Sequence, residues 1–337
     1  MALEEYFRIL LPAIEKELKR AIATVDRPNL KDLWEMQAYH MGWQGIENNT
    51  GSGGKRIRPL LVLLVNEASG GEWKHALPAA AAVELVHNFS LIHDDIQDNS
   101  PLRRGRMTVW KRWGIPQAIN TGDTMFTLAH LTMLHLAEFV PANITLQAVG
   151  LLQEACLELT KGQFLDLSFE SREEITINEY WSMIEGKTAK LISTCTELGV
   201  LISQADNKVR QAYREFGRFL GLAFQVQDDY LGIWGEAERT GKSTASDLLS
   251  GKKSLPVLFG LTQKGKFAKR WKKGNILQEE VPDLANQLAI EGGQDFTTQR
   301  VNEYILSAKL TLQAARPQGE AGKALIELSE QLLDRKS

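Results

Sequence analysis

A chain of 337 residues that is 43% hydrophobic and 24% charged can bury a large core and falls between one big domain and two ordinary ones. Its formal net charge of −3, with Lys and Arg dispersed along the sequence, supplies no basic field for nucleic acid, so any anionic ligand must be met locally. Cys156 and Cys195 are the only cysteines and both sit in apolar helical patterns, which argues against a disulfide framework and predicts buried thiols in a reducing cytoplasm.

The N-terminal stretch MALEEYFRILLPAIEKELKR mixes acids and bases through its apolar stripe, unlike a signal peptide, and no apolar run reaches membrane-spanning length. Apolar residues recur with a period near 3.6 almost throughout, and period-two alternation is nearly absent. The expected fold class is therefore all-α, with strands near absent. In chain order, helices are predicted over Leu3–Thr24, Arg58–Ala68, His75–Asp98, Thr108–Trp113, Pro116–Leu136, Asn143–Leu167, Ile177–Ile202, Asn207–Trp234 and Leu255–Leu261, with further helical segments beyond. The breaks at 47–54, 99–101 and 235–253 are rich in Gly, Ser and charge, and loops of that kind carry function more often than scaffold does. No internal repeat, low-complexity tract or linker divides the sequence, so a single domain over 1–337 is expected.

Within the predicted helix ending at Asp98, helical spacing stacks His87, Ser90, Asp94 and Asp98 along one stripe, with Asp95 to one side. The i,i+4 pair Asp94/Asp98 costs roughly 0.2–0.5 kcal/mol in an isolated helix. Pro101 ends the helix soon after, which puts the acids at the negative end of its dipole. A lone aspartate pair is ordinarily a solvated face. Here the acids close a mostly apolar helix, and Arg103 and Arg104 follow at once. Like charges ~4 Å apart at an effective dielectric of ~20 repel by ~4 kcal/mol, so carboxylates held together in a partly buried place call for a counter-charge. Hard divalent cations for carboxylate oxygen, and arginines for phosphate oxygen, would supply it.

A second apolar helix ends in FQVQDDYLG, with Asp228 and Asp229 at its close and Gln225 one turn earlier. Two such helix ends could clamp Mg²⁺ around a diphosphate, and Lys242 and Lys252 in the following loop could close over the same anion, although a solvated loop explains those lysines equally well. GGKRIRP offers Lys55 and Arg58 beside a possible nest of backbone N–H groups, or simply a helix start with Pro59 in its first turn. It lacks the spacing of a nucleotide P-loop, so ATP and GTP are rejected as ligands. Lys187 and Thr188, in a helical run, say little alone.

Together GGKRIRP, DDIQD, PLRRGR, GQFLD, EGKTAKL and FQVQDD followed by TGKSTASDLLSGKKSLP resemble the motifs of the trans-isoprenyl diphosphate synthases, the polyprenyl synthetase family, from about Gly53 to Pro256. The resemblance implies a bundle of helices around a deep central cavity, usually in a homodimer, with the acidic clusters at the cavity mouth. It implies an enzyme that joins isopentenyl diphosphate to an allylic diphosphate with the help of Mg²⁺, about three ions per site. By that resemblance Asp94 and Asp98 bind two Mg²⁺ and Asp228 the third, with Asp95 and Asp229 in support. Arg103, Lys187, Lys242 and Lys252 hold the allylic diphosphate, and Lys55, Arg58, His87 and Arg104 hold isopentenyl diphosphate. Thr188 and Gln225, with Lys187, act at the reacting centre, their oxygen dipoles turned toward the developing cation.

Three positions depart from the family pattern: Gly232 replaces a frequent third aspartate, Glu236 a frequent aspartate and Met107 a common proline. Asp228 is expected to suffice for the third metal. Phe89 and Ser90, five and four residues before the first acidic motif, bear on product length. A small Ser90 with an aromatic floor at Phe89 implies a twenty-carbon product, geranylgeranyl diphosphate, with fifteen-carbon farnesyl diphosphate as the alternative; Phe89 could equally be plain core packing. A class I terpene cyclase would have no use for GGKRIRP, His87 and Arg104. A non-catalytic synthase subunit would not need to keep all five aspartates.

Overall fold

The computed structural model of the protein describes residues 2–44, 54–235 and 246–333. Helices dominate, and the one sheet among the described residues is a two-stranded hairpin, as the 3.6-residue period requires. The chain divides into two compact units, one formed by Met1–Glu154, Cys195–Arg210 and Pro317–Leu325, the other by Ala155–Thr194, Gln211–Arg316 and Ile326–Ser337.

In the first unit the opening helix α1 (Ala2–Ala23) buries Leu3, Leu10, Ile14, Leu18 and Ile22, a stripe at i,i+4 spacing, and α2 (Lys31–His40) follows it. After α3 (Ile57–Ala68) comes α4 (Leu77–Gln97), which opens with Pro78 in its first turn and packs against α1, α3 and the later α6 (Ile115–Leu134). Ala79 to Ala82, Val83, Leu85 and Val86 are all fully enclosed, so α4 is the central helix of this unit and its C-terminal acids are carried on a rigid rod. That helix stops before Pro101 is reached. Asn99 takes a left-handed φ of 51°, and the Ser100 N–H donates to the Asp95 carbonyl at 2.9 Å, the αL closure that satisfies the last carbonyls. Asp98 is thus a C-cap, yet its N–H still reaches the Asp94 carbonyl at 2.8 Å and keeps the two side chains one turn apart.

PLRRGR forms the hairpin: β1 (Leu102–Arg103) pairs antiparallel with β2 (Arg106–Met107), Leu102 opposite Met107 and Arg103 opposite Arg106. Arg104 and Gly105 make the two-residue turn with φ of 51° and 73°, positive at both central positions as a right-twisted hairpin prefers. The short α5 (Val109–Trp113) leads into α6.

The long helix α7 (Ala142–Ser171) passes into the second unit. The sequence predicts one helix over 177–202, but the structure has three pieces there: α8 (Ile177–Ile184), a π-helical turn at Glu185–Ala189 and α9 (Lys190–Ile202). A Thr176/Glu179 capping box starts α8. The widened turn lies against α7, where a Cβ added to Gly162 would stand 2.2 Å from the Lys187 backbone nitrogen. Glycine alone allows that approach, and it sets Lys187 and Thr188 on the turn. Then come α10 (Asn207–Trp234), α11 (Ser246–Ser250), α12 (Leu255–Thr262), α13 (Lys266–Trp271), α14 (Val281–Ile290), α15 (Gly293–Ala315) and α16 (Gly319–Leu333). Tyr180, Met183, Ile184, Leu222, Val226, Leu255 and Leu258 form a core beneath Asp229.

Candidate active site

GGKRIRP presents three cations, of which the family resemblance assigns a role to Lys55 and Arg58 and none to Arg56. Arg56 sits in a left-handed conformation at the N-cap of α3, is only 4% exposed, and is clamped by Glu84 (2.8 Å), Glu15 (2.7 Å) and the Met41 carbonyl (3.2 Å). Its charge is consumed internally. Arg58 is half-buried, its Nε is enclosed with no hydrogen-bond partner, and it forms no salt bridge among the described residues. Burial pushes its pKa down, and the weaker influences of Cys195 and Glu84 do not offset this. Lys55 is exposed beside it. Gly54 has a φ of 85°, and a Cβ there would come within 2.8 Å of the Arg104 guanidinium, so the glycine gives that side chain its place.

On α4, His87 is half-buried. Burial first, then the charges of Arg58, Arg104 and Arg103, hold its pKa well below the ordinary value, which leaves a neutral ring among cations. Asp95 is only 1% exposed and takes the Arg103 guanidinium by Nε at 2.9 and 3.0 Å and by Nη2 at 2.9 Å. Burial raises the Asp95 pKa against the opposing pull of Arg103. Asp95 therefore fixes Arg103, while Asp94, half-buried, and Asp98, exposed, occupy the open stripe. Ser90 is buried and donates back to the His87 carbonyl at 2.8 Å. Phe89 meets Phe126 of α6 edge-on, ring centroids 5.0 Å apart.

In the second unit Lys187 donates to Asp166 at 2.5 Å. The Thr188 hydroxyl donates to Gln225 Oε1 at 2.8 Å, and Gln225 Nε2 donates to Asp229 at 3.1 Å. That direction commits the Thr188 proton and leaves its oxygen lone pairs to face elsewhere. Asp229 is 1% exposed and also accepts from the Tyr180 hydroxyl (2.7 Å) and the Leu255 N–H (3.0 Å). It is the hub that ties α8, α10 and α12 together. Lys252 stands 3.6 Å from Asp229 and 3.9 Å from Asp247. Burial disfavours its ammonium, but Asp229, Asp247, Asp166 and Asp228 outweigh that and raise its pKa; with 42% of the side chain exposed, the acids are the deciding influence. Lys253, next in sequence, instead donates to the Phe169 carbonyl at 2.5 Å and caps α7. Asp228 is half-buried on α10. Lys242 and Glu236 lie outside the described residues.

The sequence profile of the polyprenyl synthetase family matches residues 43–288. The chain belongs to the polyprenyl synthetase family. A (2E,6E)-farnesyl diphosphate synthase of Mycobacterium tuberculosis is 44% identical over 238 residues, 69% of this chain; the aligned stretch spans 64% of that relative's length. A geranylgeranyl diphosphate synthase of the same organism is 37% identical over 324 residues, covering 94% of this chain and 90% of the relative. Among solved structures, geranylgeranyl pyrophosphate synthetase from Pyrococcus horikoshii superposes with a TM-score of 0.88 at 31% identity, covering 99% of both chains. The fold is the all-α isoprenoid synthase fold of this family.

For a polyprenyl synthetase metal the donors are of the right kind. Asp94, Asp98 and Asp228 offer hard carboxylate oxygen, and no cluster of three or more His, Cys, Asp or Glu suited to hold a metal occurs among the described residues.

Asp166, Tyr180 and Asp247 were not assigned from sequence. Asp166 lies in the GQFLD motif and Asp247 in TGKSTASDLLSGKKSLP, which are the available signals, whereas Tyr180 lies outside every motif. Asp247 explains the missing third aspartate in part: a Cβ on Gly232 would stand 2.5 Å from Asp247 Oδ2 and 2.6 Å from its Cγ. The space that a side chain at 232 would take already holds a carboxylate. Gly232→Asp, which restores the common family residue, is therefore expected to lose about 1–3 kcal/mol of stability by overpacking two acids. Urea denaturation measures it, and an unchanged midpoint would mean that Asp247 moves aside freely.

Proposed function

We propose that this protein is a Mg²⁺-dependent trans-prenyltransferase that condenses isopentenyl diphosphate with an allylic diphosphate to a short-chain product. The observation that carries the reading is Arg58, a half-buried cation without a carboxylate partner among the described residues, flanked by Arg103, Arg104 and a neutral His87 at the foot of the Asp94/Asp98 stripe. An anion with several oxygens, such as a diphosphate, is what that arrangement lacks.

In this reading Arg58, Lys55, His87 and Arg104 hold isopentenyl diphosphate, and Arg103, Lys187, Lys252 and Lys242 hold the allylic diphosphate. Asp94 and Asp98 would hold two Mg²⁺ and Asp228 a third, and the metal, when bound, supplies charge that stabilises the leaving diphosphate. The cations of the site bind and orient the two diphosphates so that the allylic C–O bond breaks heterolytically as the isopentenyl double bond approaches. Thr188 turns its oxygen lone pairs toward the allylic cation, with Gln225 anchoring its hydroxyl. The proton lost on forming the new double bond passes to the departing diphosphate, so no side chain is required as a general base. In this reading residues 1–337 act as a single domain.

A cytoplasmic setting accords with two free, buried cysteines, Cys156 and Cys195. No described helix is long and apolar enough to cross a membrane. A homodimer accords with the apolar Ile115, Ile119, Leu131 and Leu134 left exposed on α6.

The test is incubation with Mg²⁺, isopentenyl diphosphate and dimethylallyl, geranyl or farnesyl diphosphate in turn, followed by determination of product carbon number. Twenty carbons is the expected length and fifteen the alternative; no elongation from any starter would remove the reading. In the same assay Phe89→Ala is expected to lengthen the product by one or more five-carbon units, because Phe89 is a half-buried ring braced by Phe126. An unaltered product would make Phe89 packing alone.

A further inference from the structure

PLRRGR carries a third arginine, Arg106, to which the proposed reaction assigns no role, and Tyr39 of α2 is the residue that takes it. α2 is a fixed post: Met36, Gln37 and Ala38 are buried, and Arg56 donates to the Met41 carbonyl just beyond the helix end at 3.2 Å. From this post the Tyr39 ring reaches the arginine hairpin. The Arg106 guanidinium lies over it, 4.0 Å from the ring centroid, and Arg106 Nη2 donates onward to the Gln44 carbonyl at 2.9 Å. Arg112 of α5 lies over the same ring at 4.6 Å, and Trp113 meets it edge-on with centroids 5.1 Å apart. The Tyr39 hydroxyl donates to the Met107 carbonyl at 2.9 Å.

The register of the hairpin gives these contacts their meaning. The Thr108 N–H donates to the Pro101 carbonyl at 3.0 Å, so hydrogen-bonded and non-bonded pairs alternate up the ribbon and Leu102 opposite Met107 is a non-bonded pair. The Met107 carbonyl therefore points off the outer edge of β2, where only a group from outside the hairpin can meet it. Residues directly opposite each other carry their side chains on one face, so Arg103 and Arg106 start as like charges side by side, an unfavourable pairing. The two are drawn apart: Arg103 goes to Asp95 and Arg106 to Tyr39. We propose that Tyr39 is a positioning residue for Arg103: it draws Arg106 onto its ring, pins β2 through the Met107 carbonyl, and so leaves Asp95 to set the angle at which Arg103 meets the allylic diphosphate. The inference rests on the reaction proposed above. An aromatic ring suits the task, because its π face holds a guanidinium while a carboxylate in its place would compete for Arg103.

Tyr39→Phe keeps the ring and loses only the bond to Met107, whereas Tyr39→Leu loses the π face as well. The expected fall in kcat/KM for the allylic diphosphate is about threefold for Tyr39→Phe and about tenfold for Tyr39→Leu. In an Arg103→Met background Tyr39→Leu should add less than about twofold, since its effect passes through that guanidinium. Removing the released cation as well, in Tyr39→Leu/Arg106→Gln, should bring activity back to the level of Tyr39→Phe, a recovery that a plain packing defect would not show. The inference is overturned if Tyr39→Leu leaves kcat/KM for the allylic diphosphate unchanged, if its full effect persists without Arg103, or if Tyr39→Leu/Arg106→Gln is no better than Tyr39→Leu. Tyr39→Phe, nearly isosteric, carries the same cycle with Arg103→Met if Tyr39→Leu does not fold. Parent protein that elongates no starter removes the reaction itself, an outcome read before any variant is made and distinct from failure of the Tyr39 cycle.

Discussion

Asp94→Asn is expected to lower kcat/KM for elongation about 10³-fold while leaving the metal-free fold at least as stable as the parent. The two effects have opposite sign because the residue is placed for chemistry against local preference. Asp94 and Asp98 are held one turn apart by the Asp98 N–H to Asp94 carbonyl bond of 2.8 Å, at the end of a helix where carboxylates face the negative pole of the dipole. Neutralising one relieves a like-charge pair of roughly 0.2–0.5 kcal/mol and a dipole penalty of about 0.3–1 kcal/mol. The lost carboxylate cannot be replaced in binding Mg²⁺, since an amide oxygen carries no charge. Steady-state kinetics with Mg²⁺ and thermal denaturation without it read the two effects separately. Loss of activity accompanied by loss of stability would place Asp94 in the scaffold.

The second large effect separates two arginines two positions apart. Arg56→Met leaves Glu84, only 4% exposed, without its main counter-charge, and breaking a buried pair in this way costs about 3–5 kcal/mol. Arg58→Met removes a cation that burial already disfavours and that has no ion-pair partner among the described residues, so stability should hold or rise. Its expected cost is a rise in KM for isopentenyl diphosphate of about tenfold or more, from a lost charge-assisted contact. Denaturation midpoints beside substrate-specific KM values distinguish them. Equal loss of stability in both would mean that Arg58, too, is a structural ion.

The sequence by itself determined the all-α class, the approximate helices and the motifs that gather the acids and cations, because helical period and short spacings are local properties of the chain. One boundary has a local cause, since Asn99 rather than Pro101 closes α4, whereas the π-helical turn that divides the run through EGKTAKL lies where α7 packs against it. The family resemblance already expects one residue of each neighbouring like pair at the site; what only the tertiary structure decided is which partners within the protein each of them meets. Arg56 is taken by Glu15 and Glu84 and Lys253 by the end of α7, whereas Arg58 forms no salt bridge among the described residues and Lys252 faces Asp229 and Asp247. Asp95 and Asp229 are turned inward onto Arg103 and Tyr180 while Asp94 and Asp228 keep the partly open positions. The partners that decide these cases lie 8 to 84 residues away along the chain, and Tyr180 meets Asp229 across a similar separation. Composition and periodicity fix where a helix turns its apolar face, but the choice between burying a charge with a partner and leaving it for a ligand is made only when distant segments pack.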